Sequence, residues 1–379
     1  MSASVPSRFS DDVLWRARAE IDIQALKFNV ARIKERVGKA RVLSVIKADA
    51  YGHGLDNVTK HIWPDVDGFA VATINEGIQC RRVQSYKPVV VLSEFWCQEQ
   101  LAQFEIWSLD PVIHNLAQLP WILNYSGTPL NVWIKFDSGM NRLGINTGDV
   151  ESLFNELKKN QSIGQIRLVS HLANADMEGD RYTRIQEQNF QHVVRKLDCE
   201  SSLANTAGVM KWPETHKDWV RPGLMLYGVS PYQQNPAECA GEANELQPVM
   251  SLKSRIISVK DVDSDQPVGY GGTFVTKRKT RIAMVGLGYG DGYPRVVDDN
   301  ACVLLSSKRA PVIGRISMDM ITVDVTDIAD VMIGDQVTLW GAGLNIEEVA
   351  RWAGTIPYEL LCKVTPRIPR VLTNTNSDY

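Results

Sequence analysis

Eight short apolar runs, most of them continuous rather than alternating, recur through the first two-thirds of the chain: residues 42–46, 69–73, 89–92, 111–113, 132–136, 166–172, 201–204 and 224–227. A continuous β-branched run is what a strand buried on both faces requires, because each face packs against an apolar layer. Amphipathic segments separate several of these runs. In the first, residues 22–38, Leu26, Val30, Ile33 and Val37 fall on one helical face, with Asp22 placed to cap the start and Gly38 the end. Eight strands alternating with helices over about 240 residues fit a (β/α)8 barrel, for which about 250 residues is typical. A doubly wound open sheet is the alternative.

The texture changes past residue 246. Short runs at 255–262, 282–285, 302–305, 311–316, 321–325 and 336–340, punctuated by Gly and Asp, predict a mostly β domain, with one helix near 346–352. Ahead of the barrel, Trp15, Ala17, Ala19, Ile21 and Ile23 alternate with Arg16, Arg18, Glu20 and Asp22, the pattern of a half-buried strand. The expected division is 1–245 and 246–379, with the strand at about 12–22 joining the second domain. A chain of 379 residues suits two domains.

Charge and composition exclude several functions. Lys and Arg number 41 and Asp and Glu 44, a net charge of −3, so there is no basic surplus for nucleic-acid phosphate. The six cysteines lack CxxC spacing and read as reduced thiols of a cytoplasmic protein. The first residues lack the apolar core of a signal peptide, and no run approaches the ~18 apolar residues of a membrane span. The histidines show no HExxH or paired spacing, so no metal is expected. Gly286, Gly288, Gly290 and Gly292 do not have the spacing of a dinucleotide fingerprint.

One local feature carries chemistry. A lysine ends the first apolar run and a small-residue turn follows: Ser44-Val-Ile-Lys47-Ala-Asp-Ala-Tyr51-Gly-His-Gly54. A lone lysine there reads as a strand-end cation reaching for water. At the C-terminal rim of a barrel it reads as an active-site amine, its pKa lowered by a poor dielectric and freed for Schiff-base chemistry.

The run KADAYGHG resembles the cofactor-lysine motif of alanine racemases, pyridoxal-phosphate enzymes of fold type III. The resemblance continues in order through Lys135-Phe-Asp137-Ser-Gly-Met-Asn-Arg142-Leu-Gly, Ser170-His171, Ala204-Asn205-Thr206-Ala207, Arg221-Pro-Gly223-Leu224-Met-Leu-Tyr227, Gly269-Tyr270-Gly271, Gly288-Tyr289-Gly-Asp-Gly, Gly314-Arg-Ile-Ser-Met318-Asp319 and Tyr358-Glu. It spans about Ala19 to Val371. It implies an N-terminal (β/α)8 TIM-type barrel with a C-terminal mostly β domain.

The resemblance also implies roles. Lys47 holds pyridoxal 5'-phosphate and serves as one acid/base group. Tyr270 is the other, entering the partner's site in a head-to-tail homodimer, with His171 and Arg221 as its hydrogen-bond relay. Tyr51, Thr206, Tyr358 and the N–H groups of Gly223 and Leu224 form the phosphate clamp, with Asn205 among the cofactor-binding residues; the family usually has Ser at the place of Thr206. Arg221 faces the pyridine nitrogen. Being always cationic, it disfavours protonation there, which suits plain removal and return of a proton. Arg142 meets the substrate carboxylate, and Lys135 is expected to be carbamylated, since it and Arg142 otherwise repel. Tyr289, Met318 and Asp319 belong to the substrate side, where tyrosines favour a small side chain. The expected reaction is interconversion of L- and D-alanine, supplying D-alanine for peptidoglycan or serving catabolism. Alternatives are a racemase of broader specificity, acting for example on serine, a fold-type III decarboxylase, or a non-catalytic cofactor carrier. The decarboxylases resemble an E-P-G-R pattern where this chain has Arg221-Pro-Gly-Leu224, and the carriers lack a second domain.

Overall fold

The computed structural model describes residues 15–84, 86–177, 179–232 and 246–375. Residues 1–14, among them 12–14 of the expected first strand, and Cys239 lie outside the described residues. The chain divides into two compact units. One is Gln24–Gln247; the other joins the stretch through Ile23 to the chain from Pro248 onward.

Strand β1 (Ala17–Asp22) alternates as its sequence requires, with Ala17, Ala19 and Ile21 buried. A helix, Ile23–Val37, follows directly, and Gly38 closes it in the left-handed region at φ +61°. Eight strands then close into a barrel: β2 (Arg41–Val45), β3 (Gly68–Val71), β4 (Val89–Val91), β5 (Asp110–Ile113), β6 (Leu130–Lys135), β7 (Ile163–Val169), β8 (Ser201–Ser202) and β9 (Trp219–Val220). Every neighbouring pair is parallel. This excludes the open-sheet alternative.

One expected barrel strand is corrected. The run 224–227 is not a strand but a 3-10 turn, Leu224–Tyr227, and the eighth strand is β9, ahead of it. All four residues of the turn are buried, so their apolar character reads the same as that of a two-faced strand. Pro222 and Gly223 interrupt the chain just before it.

Arg167 of β7 is buried between the rings of Trp133 and Trp219, its carbon Cζ 5.2 and 5.5 Å from their centroids. Its Nε meets Glu200 at 2.7 Å, and Nη1 lies 3.6 Å from Asp110. Burial pushes Asp110 up to about 6 against the pull of Arg167. Burial pushes Glu200 up too, but hydrogen bonds from Arg167, Arg41 and Trp219 outweigh it and bring the carboxyl down to about 2.

The second unit is built on a long strand, β10 (Met250–Val262). It is followed by β11 (Pro267–Val268), β12 (Phe274–Val275), β13 (Thr280–Val285), β14 (Cys302–Leu305), β15 (Lys308–Pro311), β16 (Ile321–Asp324), β17 (Gln336–Trp340) and β18 (Arg370–Thr373). β10 pairs antiparallel with β1, β13 and β17. β1 also takes β18 as a parallel neighbour, so the first described strand lies between two of the later ones. The expected strand at 311–316 is also corrected. β15 ends at Pro311, and beyond it only Val312 bridges to Val323, because Gly314 turns at φ +68° against the Val268 carbonyl. Helices Ile346–Trp352 and Pro357–Lys363 follow β17. Among the described residues no helix is long and apolar enough to cross a membrane, no cluster of His, Cys, Asp and Glu is placed to hold a metal, and the five cysteines form no disulfide.

Candidate active site

The turn after β2 sets the first catalytic candidate. Lys47 opens the stretch Lys47–Gly52, in which Ala48, Asp49, Ala50 and Tyr51 all have φ of +53°. A left-handed turn of L residues crowds each Cβ against a carbonyl, at roughly 1–2 kcal/mol per residue. Surrounding groups hold it in place. Glu76 accepts the Ala48 N–H at 2.7 Å, Asp49 accepts the Leu55 N–H at 2.7 Å, and buried His53 donates from Nδ1 to the carbonyls of Ala50 and Tyr51 at 3.0 and 2.9 Å. The turn sends Tyr51 inward, its ring 5.0 Å from that of Tyr227.

Tyr51 brings its hydroxyl over Gly223. A Cβ at that glycine would lie 2.6 Å from Tyr51 Oη, so the close approach requires a residue without a side chain. Buried Thr206 completes the group. Its Oγ1 accepts the N–H groups of Gly223 at 2.9 Å and Met225 at 3.4 Å, leaving its own hydrogen to donate. The Gly223 N–H is therefore committed to Thr206 rather than standing free for a phosphate. The donors an anion would meet here are the hydroxyls of Thr206 and Tyr51 and the Leu224 N–H at the start of its turn. Asn205 accepts the Gly208 N–H at 3.0 Å and caps the helix Thr206–Lys211.

Arg221 lies just after β9, is 5% exposed and has no carboxylate within ion-pair distance among the described residues. Its hydrogen bonds go to neutral acceptors: Ser202 Oγ at 2.5 Å and the carbonyls of Ser170 and Leu203 at 2.5 and 3.3 Å. Burial pulls it down to about 10, still cationic at neutral pH. His171 Nδ1 lies 3.4 Å from Arg221 Nη2. A guanidinium offers only hydrogens, so Nδ1 accepts and the imidazole proton sits on Nε2. Burial, then Arg221, Lys135, Arg142 and Lys47, hold His171 well below the ordinary histidine range and keep it neutral.

Lys135 ends β6 and is pulled down to about 8 by burial first, then by Arg221, Arg142 and Lys47, with Asp137 opposing. Arg142 is exposed on a loop that folds back onto β6 through the Phe136–Ile145 bridge. Four cations thus crowd one barrel mouth, with Asp137 the carboxylate that opposes them at Lys135. That surplus suits an anionic ligand.

Other residues hold these in place without any motif to reveal them. Helix Tyr182–Leu197 aims Tyr182, Gln186 and Asn189 at the loops after β6 and β7. Their spacing on one helical face is the only sequence signal, and a solvated polar face gives the same signal.

Tyr270, Tyr289, Met318, Asp319 and Tyr358 belong to the second unit. Tyr270 is 70% exposed in the turn Tyr270–Gly272, where Arg315 lies against Gly271. Tyr289 and Met318 are brought together: the N–H groups of Tyr289 and Gly290 donate to the carbonyls of Ser317 and Met318 at 3.0 and 2.9 Å. Asp319 pairs with Arg367 at 2.6 Å, while fully buried Asp291 takes Arg16 at 2.7 Å and the Gly288 N–H at 3.0 Å. Tyr358 is half-buried on the helix Pro357–Lys363.

A lysine at the mouth of a parallel barrel, among further cations that include a buried arginine with no carboxylate partner among the described residues, suits a barrel enzyme that takes an anion beside an amine. Comparison with known proteins narrows this class. Residues 21–231 match the family "Alanine racemase, N-terminal domain" and residues 249–372 match "Alanine racemase, C-terminal domain". The chain is 43% identical over 355 residues to the catabolic alanine racemase of Pseudomonas putida, covering 93% of this chain and 98% of that one. The solved biosynthetic alanine racemase of Pseudomonas aeruginosa superimposes with a TM-score of 0.91 at 38% identity, covering 95% of this chain and 100% of that one. The alanine racemase of Bartonella henselae, solved with covalently bound pyridoxal phosphate, gives 0.86 at 27% identity, covering 95% and 100%. The chain belongs to the alanine racemase family, whose members are isomerases.

Proposed function

We propose that this chain interconverts L- and D-alanine with pyridoxal 5'-phosphate as cofactor and with Lys47 and Tyr270 as the two acid/base groups. The observation that carries the reading is Arg221, a buried cation held only by neutral acceptors on the barrel that presents Lys47. The residues present fit the cofactor. Tyr51 and Thr206 offer hydroxyl hydrogens, Leu224 offers an N–H, and a Cβ at Gly223 would crowd Tyr51. When bound, the cofactor supplies a conjugated electron-withdrawing system that acidifies the substrate α-C–H.

The remaining work falls to the chain. Lys47 holds the cofactor and then moves the α-proton on one face. Tyr270 of the partner subunit in a head-to-tail homodimer serves the other face; its exposure within one chain supports this. His171, neutral and presenting Nε2–H, relays between Arg221 and that tyrosine. Arg221 keeps a fixed charge where a ring nitrogen would otherwise take a proton, which favours racemisation over decarboxylation. Arg142 forks onto the substrate carboxylate. Lys135, with its lowered pKa, offers the neutral amine that carbon dioxide needs, and a carbamate there would offset the surplus of cations. Tyr289, Met318 and Asp319 shape the approach to the site, Tyr358 adds a phosphate hydroxyl, and Asn205 holds the turn of Thr206. A cytoplasmic enzyme of this kind supplies D-alanine for peptidoglycan.

The test loads purified protein with pyridoxal phosphate in deuterated buffer and offers L-alanine, L-serine and L-lysine separately. Solvent exchange at the alanine α-carbon with both enantiomers formed is the expected result. Release of carbon dioxide with the amine, or exchange without inversion, overturns it.

A further inference from the structure

Gln186 is fully buried on the helix Tyr182–Leu197, in company with Thr183 and Phe190. Its amide engages the loop after β7, which carries His171, and the loop after β6. Oε1 accepts the Ala173 N–H at 2.8 Å. A backbone N–H can only donate, so this bond fixes which way the amide faces. Nε2 then donates to the His171 carbonyl at 3.0 Å and reaches Ser138 Oγ at 3.4 Å. Ser138 Oγ lies 2.9 Å from Ser170 Oγ, and the Ser170 carbonyl is an acceptor of Arg221. One side chain therefore ties the backbone on both sides of Leu172, starting at the His171 carbonyl, and, through two serines, reaches the group that orients the arginine.

We propose that Gln186 is a positioning residue, which fixes His171 so that Nδ1 faces Arg221 and Nε2–H is presented to the site. The inference rests on the reading of His171 and Arg221 as a relay to one of two acid/base groups. A buried amide of this kind could also serve packing alone. The two roles differ in what they move: a packing role changes stability, and a positioning role changes one proton transfer and the imidazole tautomer.

The experiment compares Gln186→Met, Gln186→Glu and Ser138→Ala in the full chain. Gln186→Met keeps the volume and removes every bond. Gln186→Glu keeps the shape but sets an acceptor against the His171 carbonyl. Thr183→Val, a fully buried neighbour whose hydroxyl has no hydrogen-bond partner, is the control for loss of a buried polar group on this helix. In the loaded enzyme the Gln186 variants should lower kcat by roughly ten- to a hundredfold with KM changed about twofold at most, the scale of a misplaced catalytic group. The α-deuterium isotope effect should change for one alanine enantiomer and not the other. In the cofactor-free protein, 15N spectra of labelled histidine should show His171 moving from the Nε2–H tautomer to a mixture. Thr183→Val should match wild type in every readout, and Ser138→Ala should shift them in the same direction by less. Wild-type kcat, isotope effects and tautomer in the Gln186 variants, with only a lowered Tm, overturn the proposal. If neither Gln186 variant folds, wild-type behaviour of Ser138→Ala overturns it. A wild-type protein that does not racemise alanine defeats the functional reading, while the tautomer spectra still decide the role of Gln186.

Discussion

At the scale of single residues, the anion cradle depends on a missing side chain. Gly223→Ala would place a methyl 2.6 Å from Tyr51 Oη and expel that hydroxyl. Cofactor affinity should fall by about tenfold or more, roughly 1.4 kcal/mol, in a titration followed by the absorbance of bound pyridoxal phosphate. An unchanged Kd would remove Tyr51 from the cradle. Lys135 gives a second test. It titrates at about 8 in the fold against 10.5 in the unfolded chain, so between those values the unfolded chain binds the extra proton and stability rises with pH. Below about 8 the buried charge destabilises the fold in full. Lys135→Met should therefore be more stable than wild type at neutral pH in carbonate-free buffer, with the gap closing as pH rises. Bicarbonate should raise the denaturation midpoint of wild type alone if the lysine takes up carbon dioxide. The lysine motif and the arginine were legible because their neighbours in sequence mark them. Gln186 was not, because its partners lie 13, 15 and 48 residues away. Nor did the sequence disclose that Thr206 occupies the Gly223 N–H, a bond made across 17 residues.

At the scale of elements, the left-handed turn after Lys47 stands out because its residues are alanine, aspartate, alanine and tyrosine, none of which announces positive φ. Ala48 is exposed, and Ala48→Gly should gain about 1 kcal/mol by relieving its Cβ, read as a raised Tm. A loss instead would mean that unfolded-chain entropy outweighs the strain. Arg167 makes the opposite case. Arg167→Leu strands Asp110 in the barrel interior and should cost roughly 3–5 kcal/mol in denaturant unfolding, with part recovered by adding Asp110→Asn. No recovery would show that packing against the two tryptophans, not charge, holds the site. Strand positions were mostly readable from β-branched runs. The two errors differ in cause: 224–227 is buried throughout and carries no period, whereas 311–316 is partly exposed and Gly314 breaks the run.

At the scale of the whole molecule, a site shared between subunits has a specific signature. Lys47→Ala and Tyr270→Phe homodimers should each be inactive. Unfolded together in equal amounts and refolded, half the dimers are mixed and each has one intact site, so activity should return to about a quarter of wild type. No recovery would place both residues in the same chain's site. The proposal of a shared site rests on family resemblance, since Tyr270 read alone is an aromatic in a glycine turn.

The position of β1 has a further consequence, for how the chain is made. Ala17 pairs with Ser254, 237 residues later, and Ala19 pairs with Arg370 near the far end. At about 5–20 residues per second, β1 waits on the order of ten to fifty seconds for its first partner to emerge from the ribosome. By the end of that interval the barrel has all its strands, while the sheet of the second unit has one. A nascent chain therefore carries a strand with two unpaired edges until β10 is made, and its second edge stays open until β18 follows.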